Sequence, residues 1–90
     1  MYGTVFTNSS AADTVNFTLP PPALGLMYSF AVTEDSQSLH FARNDSEDIY
    51  DPNGTTVHGL GASSIGRFIT VQCLDGANWY TTSYVGTWSE

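Results

Sequence analysis

Apolar and polar residues alternate along several short stretches of this chain, and this period of two constrains its fold more than any other feature. In the stretch T-V-N-F-T-L, Val15, Phe17 and Leu19 fall on one side of an extended backbone, and their polar neighbours fall on the other. No window carries apolar residues at the helical spacing i, i+3, i+4 and i+7 over three turns. The alternation therefore predicts an all-β protein.

Turn-forming residues divide the chain into about seven short predicted strands. Proline cannot donate a hydrogen bond to a sheet, so Pro20–Pro22 end the second strand. The acidic and glycine-rich stretch 44–66 is interpreted as irregular. Short strands at this spacing predict one domain over residues 1–90, folded as an antiparallel β-sandwich or a jelly-roll-like barrel. The clearest candidate strands cover residues 2–7, 14–19, 26–33, 38–43, 67–74 and 79–85.

A domain of 90 residues has little core of its own, which raises the question of what stabilises it. Cys73 is the single cysteine, so an internal disulfide is impossible, and His40 and His58 lack the spacing of a metal site. No cofactor is expected. Oligomerisation is the remaining source of stability, and a homo-oligomer is expected.

The chain is strongly acidic, and this limits its partners. Nine Asp and Glu residues face only Arg43 and Arg67, which gives a net charge of −7 with no lysine. Binding to nucleic acid or to anionic membranes is not expected, because both require clustered cations. A surface rich in hydroxyl groups and poor in charge is typical of extracellular β-proteins and virion proteins.

The last predicted hairpin can form in two registers. A two-residue turn at Asp75–Gly76 pairs Val71 with Tyr80, whereas a three-residue loop ending at Gly76 pairs Val71 with Trp79. A slip of one residue moves every side chain to the opposite face. The second register is favoured, because it places the Trp79 ring in the core and turns Tyr80 and Tyr84 outward with Phe68.

Aromatic residues recur at a spacing of four near the end of the chain. Tyr80, Tyr84 and Trp88 share one face if the last strand runs unbroken through Gly86. Aromatic rings are enriched in cores and subunit contacts, so Phe68 and these three residues are the candidates for an oligomer or ligand interface. A carbohydrate platform is the functional alternative.

Other chemistry is sparse. Asp45, Glu47, Asp48 and Asp51 form the densest carboxylate cluster, and a calcium site or a solvated acidic loop would explain it. The solvated loop is favoured, because the spacing does not match an EF-hand. No nucleophile elbow is present, and Cys73 lies on the apolar side of a predicted strand. No catalytic residue and no enzymatic activity are predicted.

Two stretches of the chain resemble small β-domains of tailed-bacteriophage virion proteins. They are T-V-N-F-T-L-P-P-P-A-L-G-L-M-Y-S-F-A-V, residues 14–32, and the ending R-F-I-T-V-Q-C-L-D-G-A-N-W-Y-T-T-S-Y-V-G-T-W, residues 67–88. The shared pattern is a strand ending in L-P, a short turn, a strand of the form G-x-x-Y-x-F-x-V, and a closing G-T-W. Such domains decorate capsids or form tail and fibre parts, commonly as trimers.

The resemblance implies a virion structural protein, located on the phage particle, that acts by self-assembly and contacts other virion proteins. A carbohydrate-binding module at a tail tip or fibre, recognising host glycans, is the alternative. In either case Trp88 is predicted to anchor the C-terminal segment in a seam, either within one chain or between chains.

Overall fold

The computed structural model describes residues 4–8, 14–33 and 38–90. These ranges contain strands and turns and no helix. They therefore contain no helix that could span a membrane. The all-β prediction is confirmed. The described ranges contain nine strands: β1 (Thr4–Thr7), β2 (Val15–Thr18), β3 (Met27–Ala31), β4 (Leu39–Ala42), β5 (Ile49–Tyr50), β6 (Thr56–Val57), β7 (Gly59–Ala62), β8 (Phe68–Cys73) and β9 (Trp79–Val85).

The strands form two sheets, and both are mixed. The six-stranded sheet has the order β1-β3-β8-β9-β5-β6, and the three-stranded sheet has the order β2-β4-β7. The pairs β1–β3, β2–β4 and β5–β9 are parallel, so the prediction of an antiparallel sheet is wrong. The parallel pairs β1–β3 and β2–β4 result from the path of the chain. Strands β1 to β4 alternate between the two sheets, so each next-but-one strand returns in the same direction.

One hydrophobic core lies between the sheets, in a sandwich-like arrangement. Phe30 of β3 and Phe41 of β4 stack across it with ring centroids 4.4 Å apart and planes within 7°. The alternation correctly predicts the core-facing sides of β2, β3, β4 and β8. The buried apolar residues are Leu19, Phe30, Val32, Leu39, Phe41, Ile49, Val57, Leu60, Ile69, Val71, Cys73, Trp79 and Trp88.

The stretch 44–66, predicted to be irregular, contains three strands. β5 and β6 have only two residues each, too few to show a period of two. β7 has the sequence G-L-G-A, which resembles a flexible connection. Its glycines have a packing reason, because a β-carbon at Gly59 would lie 2.6 Å from the carbonyl oxygen of Phe41 and 2.9 Å from His40 Cε1. The imidazole of His40 takes the space that side chains would fill.

The last hairpin follows neither predicted register, although the favoured one assigns Trp79 and Tyr80 to the correct faces. Tyr84, predicted to point away with Tyr80, instead pairs with Ile69. Cys73 pairs with Trp79 across a five-residue loop, and Val71 pairs with Thr81. The loop is wide because the Asp75 carboxylate accepts the backbone N–H groups of Ala77 and Asn78, both at 2.9 Å. Trp79 is therefore fully buried in the core, as predicted, and Tyr80 turns outward.

Trp88 holds the C-terminal segment against the sandwich within one chain. Gly86, with φ of 82°, turns the backbone after β9. The Trp88 ring then packs 6.2 Å from Phe41, and its Nε1–H donates to the carbonyl oxygen of Phe68 at 3.1 Å. Ser89 and Gly61 exchange backbone hydrogen bonds of 2.8 and 3.1 Å, so the segment also closes the edge of β7. The predicted seam lies between the two sheets.

Candidate functional site: an uncharged sheet face and its open edge

The outer face of the six-stranded sheet carries no charged side chain in the described strands. The pairing of the strands arranges these outward residues in rows that cross the sheet. We call this surface the uncharged face. Its members are Val5, Thr7, Met27, Ser29, Ala31, Tyr50, Thr56, Phe68, Thr70, Gln72, Tyr80, Ser83 and Val85.

One end of the uncharged face is apolar. Ala31 pairs with Phe68, and Phe68 pairs with Val85, so the three side chains lie side by side on three neighbouring strands. Val85 is 57% exposed and Val5 is 52% exposed. Two large aliphatic side chains thus meet solvent on a surface that has no charge to keep other molecules away.

The centre of the uncharged face is satisfied internally. The hydroxyl groups of Ser29 and Thr70 lie 2.8 Å apart on paired strands, and both residues are buried. Because each hydroxyl serves the other, neither requires water in order to be hydrogen-bonded. A surface that covers this part of the face would meet two hydroxyl groups that already share one hydrogen bond.

The second half of β9 forms an open strand edge beside this face. β5 covers the first half, where Tyr50 pairs with Tyr80 and the Thr81 hydroxyl donates to the carbonyl oxygen of Tyr50 at 2.8 Å. Beyond that point, none of the described strands pairs with residues 82–85 on the side away from β8. All four residues are exposed, and the segment contains no charge and no proline. Natural sheets usually protect such an edge.

A β-bulge changes the direction of side chains along β9. Thr70 pairs with Ser83 and Val71 with Thr81, so Thr82 is the extra residue. Tyr84 consequently lies opposite Ile69 and not on the side of Tyr80, and it is 52% exposed although Ile69 is fully buried. The predicted stripe of Tyr80, Tyr84 and Trp88 is therefore not one face.

A tyrosine pair and a carboxylate border the uncharged face at the hairpin loop. The rings of Tyr50 and Tyr80 stack with centroids 4.9 Å apart and planes within 6°. The Tyr80 hydroxyl donates to Asp75 Oδ2 at 2.5 Å. This bond, with those from Ala77 and Asn78, lowers the pKa of Asp75 to about 2, and the same bond raises the pKa of Tyr80. The polar rim is thus fixed in place.

The predicted interface residues separate into three environments. Phe68 and Tyr80 lie on the uncharged face, and Tyr84 lies on its open edge. Trp88 is only 6% exposed, and its ring is part of the core. A role for these residues in an interface stays a prediction. The residues that the sequence argument missed, such as Val85 and Val5, lie outside any aromatic pattern, and only strand pairing shows that both belong to this face.

The acidic stretch uses its carboxylates locally. Glu47 accepts the backbone N–H groups of Asn44 and Asp45 at 2.7 and 2.9 Å, and these bonds hold its pKa below the usual value although partial burial acts in the opposite direction. Asp51 Oδ1 likewise accepts the N–H groups of Asn53 and Thr55. Within the described ranges, no three His, Cys, Asp or Glu side chains are grouped closely enough to hold a metal ion.

Cys73 lies in the core with 1% of its surface exposed. A scan against protein-family models, a search of curated proteins and a search of solved structures each found no match. The arrangement of residues in this chain is therefore the basis for its functional interpretation.

Proposed function

We propose that this protein is a structural, non-enzymatic component of a phage virion that assembles with further copies of itself through the uncharged face and the open edge of β9. The observation that carries the proposal is the absence of charge from the whole described outer face in a chain of net charge −7. The phage assignment rests on the resemblance of residues 14–32 and 67–88 to virion β-domains.

Charge favours a second copy as the partner. Two identical acidic molecules repel each other wherever their carboxylates approach. A surface without charge is the place where such molecules can come into contact, and interface cores are depleted of charged residues. The uncharged face supplies aromatic and aliphatic area, with Phe68 and Val85 at its apolar end.

The open edge of β9 sets the direction in which a strand of a neighbouring copy could be added to the sheet. Residues 82–85 extend for about 13 Å, and the backbone groups that no described strand pairs on this side can continue the sheet into a neighbouring chain. Tyr84, exposed at this edge, would be covered by such a neighbour. The resemblance favours three copies, whereas a face that packed only against itself would give two.

The glycan-binding alternative has less support at its original residues. Trp88 is buried, and Tyr80 already stacks on Tyr50, so neither ring is free to serve as a platform for a sugar. Tyr84 alone is exposed, and its neighbours Ser83 and Val85 offer no carboxylate or amide to hold sugar hydroxyls.

Placing one charge on the uncharged face tests the assembly proposal. Val85→Lys brings lysines of neighbouring copies together in a contact that excludes water, so self-association should weaken by about tenfold or more. Sedimentation velocity over a range of protein concentrations measures it. Leu24→Lys is the matched control, because Leu24 is 73% exposed in the turn before β3 and is not a member of this face.

The proposal predicts that Leu24→Lys associates like the unmodified protein and that only Val85→Lys dissociates. Equal association of all three proteins would contradict it. The virion assignment has its own test in the flanking genes. A capsid, portal or terminase gene beside this one supports it, whereas neighbours that encode a cell-surface adhesion system would refute it.

A further inference from the structure

A polar groove of about 510 Å³ lies on the opposite side of the molecule from the uncharged face. The outer side of the three-stranded sheet forms its floor, and the segment around Trp88 forms one wall. The groove is lined mainly by hydroxyl, amide and imidazole groups. Those used below are Asn16, His40, Ser63, Ser64, Arg67 and Thr87.

The floor of the groove is built around His40. This residue pairs with Asn16 on one side and with Gly61 on the other. A β-carbon at Gly61 would lie 3.0 Å from His40 Cδ2, so the ring rests against the backbone of β7. The glycines of β7 therefore let a planar ring lie along the floor, where a larger residue would displace it.

Arg67 is the one arginine among the described residues that line the groove, and its side chain has a fixed path. It crosses the α-carbon of Gly86 so closely that a β-carbon there would overlap Arg67 Cδ. No Asp or Glu in the described ranges forms an ion pair with its guanidinium group. In a chain with nine carboxylates and two arginines, an arginine that is held in place and has no carboxylate partner among the described residues is available to bind an anion.

The single carboxylate on the groove lining is engaged elsewhere. Glu90 Oε2 accepts the backbone N–H of His58 at 3.0 Å and lies 3.9 Å from His58 Nδ1. It therefore does not neutralise Arg67. Among the described lining residues, the Arg67 guanidinium group is therefore left without a carboxylate partner, beside hydroxyl and amide groups.

We infer that this groove binds a saccharide that carries a carboxylate, with the carboxylate on Arg67, the sugar hydroxyls on Asn16 and the serines, and the ring face against His40. A guanidinium fork matches a carboxylate in two hydrogen bonds. Nucleic acid does not fit, because one cation in a chain of net charge −7 cannot neutralise a run of phosphates. The inference does not depend on the assembly proposal, because the uncharged face shares no residue with the groove.

The test is titration of the ¹⁵N-labelled protein with a disaccharide that contains glucuronic acid, followed by NMR. Saturable shifts of groove amides, Gly61 and Ser64 among them, are expected. The affinity for the matched neutral disaccharide should be lower by about tenfold or more, because this sugar lacks the charged hydrogen bonds. Sodium acetate should not reproduce the shifts at the same concentration, because it lacks the sugar.

Variants of the two arginines separate the site from a general effect of charge. Arg67→Gln should weaken acidic-saccharide binding by about tenfold, whereas Arg43→Gln, which changes net charge equally away from the groove lining, should leave it unchanged. Arg67→Lys keeps the charge without the fork and should give intermediate affinity, even if Arg67→Gln does not fold. Absence of saturable binding, equal binding of the neutral sugar, equal shifts with acetate, or Arg67 variants as tight as the unmodified protein would each overturn the inference.

Discussion

The outer surfaces of the two sheets are built from the same residue classes and yet differ in kind. On the six-stranded sheet, paired strands present Ala31, Phe68 and Val85 side by side, and the described surface is without charge. On the three-stranded sheet, His40 lies over a strand with two glycines, and a groove is formed next to an unpaired arginine. Side-chain size at the outward positions makes this difference.

The difference shows how a small acidic chain can separate two kinds of contact. A neutral surface suits a partner that carries the same net charge, and a cation in a hydroxyl-lined groove suits a small anionic ligand. The fold keeps them on opposite sides of one core. Variants that change one surface should therefore leave the other unaffected.

Removal of the Trp88 ring should have the largest effect. Trp88→Ala leaves a cavity beside Phe41 and releases the wall of the groove, so the free energy of unfolding should fall by about 3–5 kcal/mol. Chemical denaturation measures this loss. Amide shifts in the folded variant should concentrate at Gly61 and Ser89 and spare β3. Equal perturbation of β3 would show that the two surfaces are not separable; Thr87→Ala, at an exposed position, is the control.

The buried hydroxyl pair tests the uncharged face. Thr70→Val removes one hydroxyl and leaves that of Ser29 without its partner, so the protein should lose about 1–3 kcal/mol of stability. The double variant Ser29→Ala, Thr70→Val should lose less than the sum of the single changes, because no orphan group remains. Thermal and denaturant unfolding of the single and double variants measure the free energies of this double-mutant cycle. Strict additivity would mean that the pair is not coupled.

The two tryptophans provide a smaller test of the seam. Trp88→Phe removes the Nε1–H bond to the carbonyl oxygen of Phe68 and should lower the free energy of unfolding by about 1 kcal/mol beyond the loss of ring area. Trp79→Phe is the matched change, because Trp79 Nε1 is buried with no hydrogen-bond partner in the described part of the chain. If Trp79→Phe lowered the free energy of unfolding by more than Trp88→Phe, that result would argue against this account of the C-terminal segment.

The smallest effect concerns the rim of the uncharged face. The pKa of Asp75, about 2 in the folded chain, lies below its ordinary value of 3.8. Its contribution to stability is therefore fully present above pH 4 and is lost as pH falls toward 2. A ¹³C titration of the carboxyl group should give the low midpoint. In Tyr80→Phe the midpoint should rise, because the strongest of its hydrogen bonds is removed; an unchanged midpoint would contradict this.

Much of the core follows from alternation. Phe30, Phe41 and Val71 lie where the period of two predicts them, because one face of each strand must be buried. Strand partners do not follow, since the parallel pairs depend on how the chain crosses between sheets. β7 was also missed, because the space above Gly59 and Gly61 is filled by a residue of another strand, His40.

The candidate sites were predictable only in part. Phe68 and Tyr80 were recognised as outward aromatics from the hairpin register. The uncharged face as a whole needs four or more strands in known order, and no local pattern encodes that order. Arg67 carries one signal in the sequence, as one of two cations among nine carboxylates, but its unpaired state and the path over Gly86 emerge only in three dimensions.

The mass of the unmodified protein in solution tests the central claim most directly. Light scattering coupled to size-exclusion chromatography should be run from micromolar to near-millimolar concentration. It should give the mass of two or more chains, with three copies expected from the resemblance. A single-chain mass over the entire range would contradict the proposal that the uncharged face and the open edge of β9 are covered by another copy.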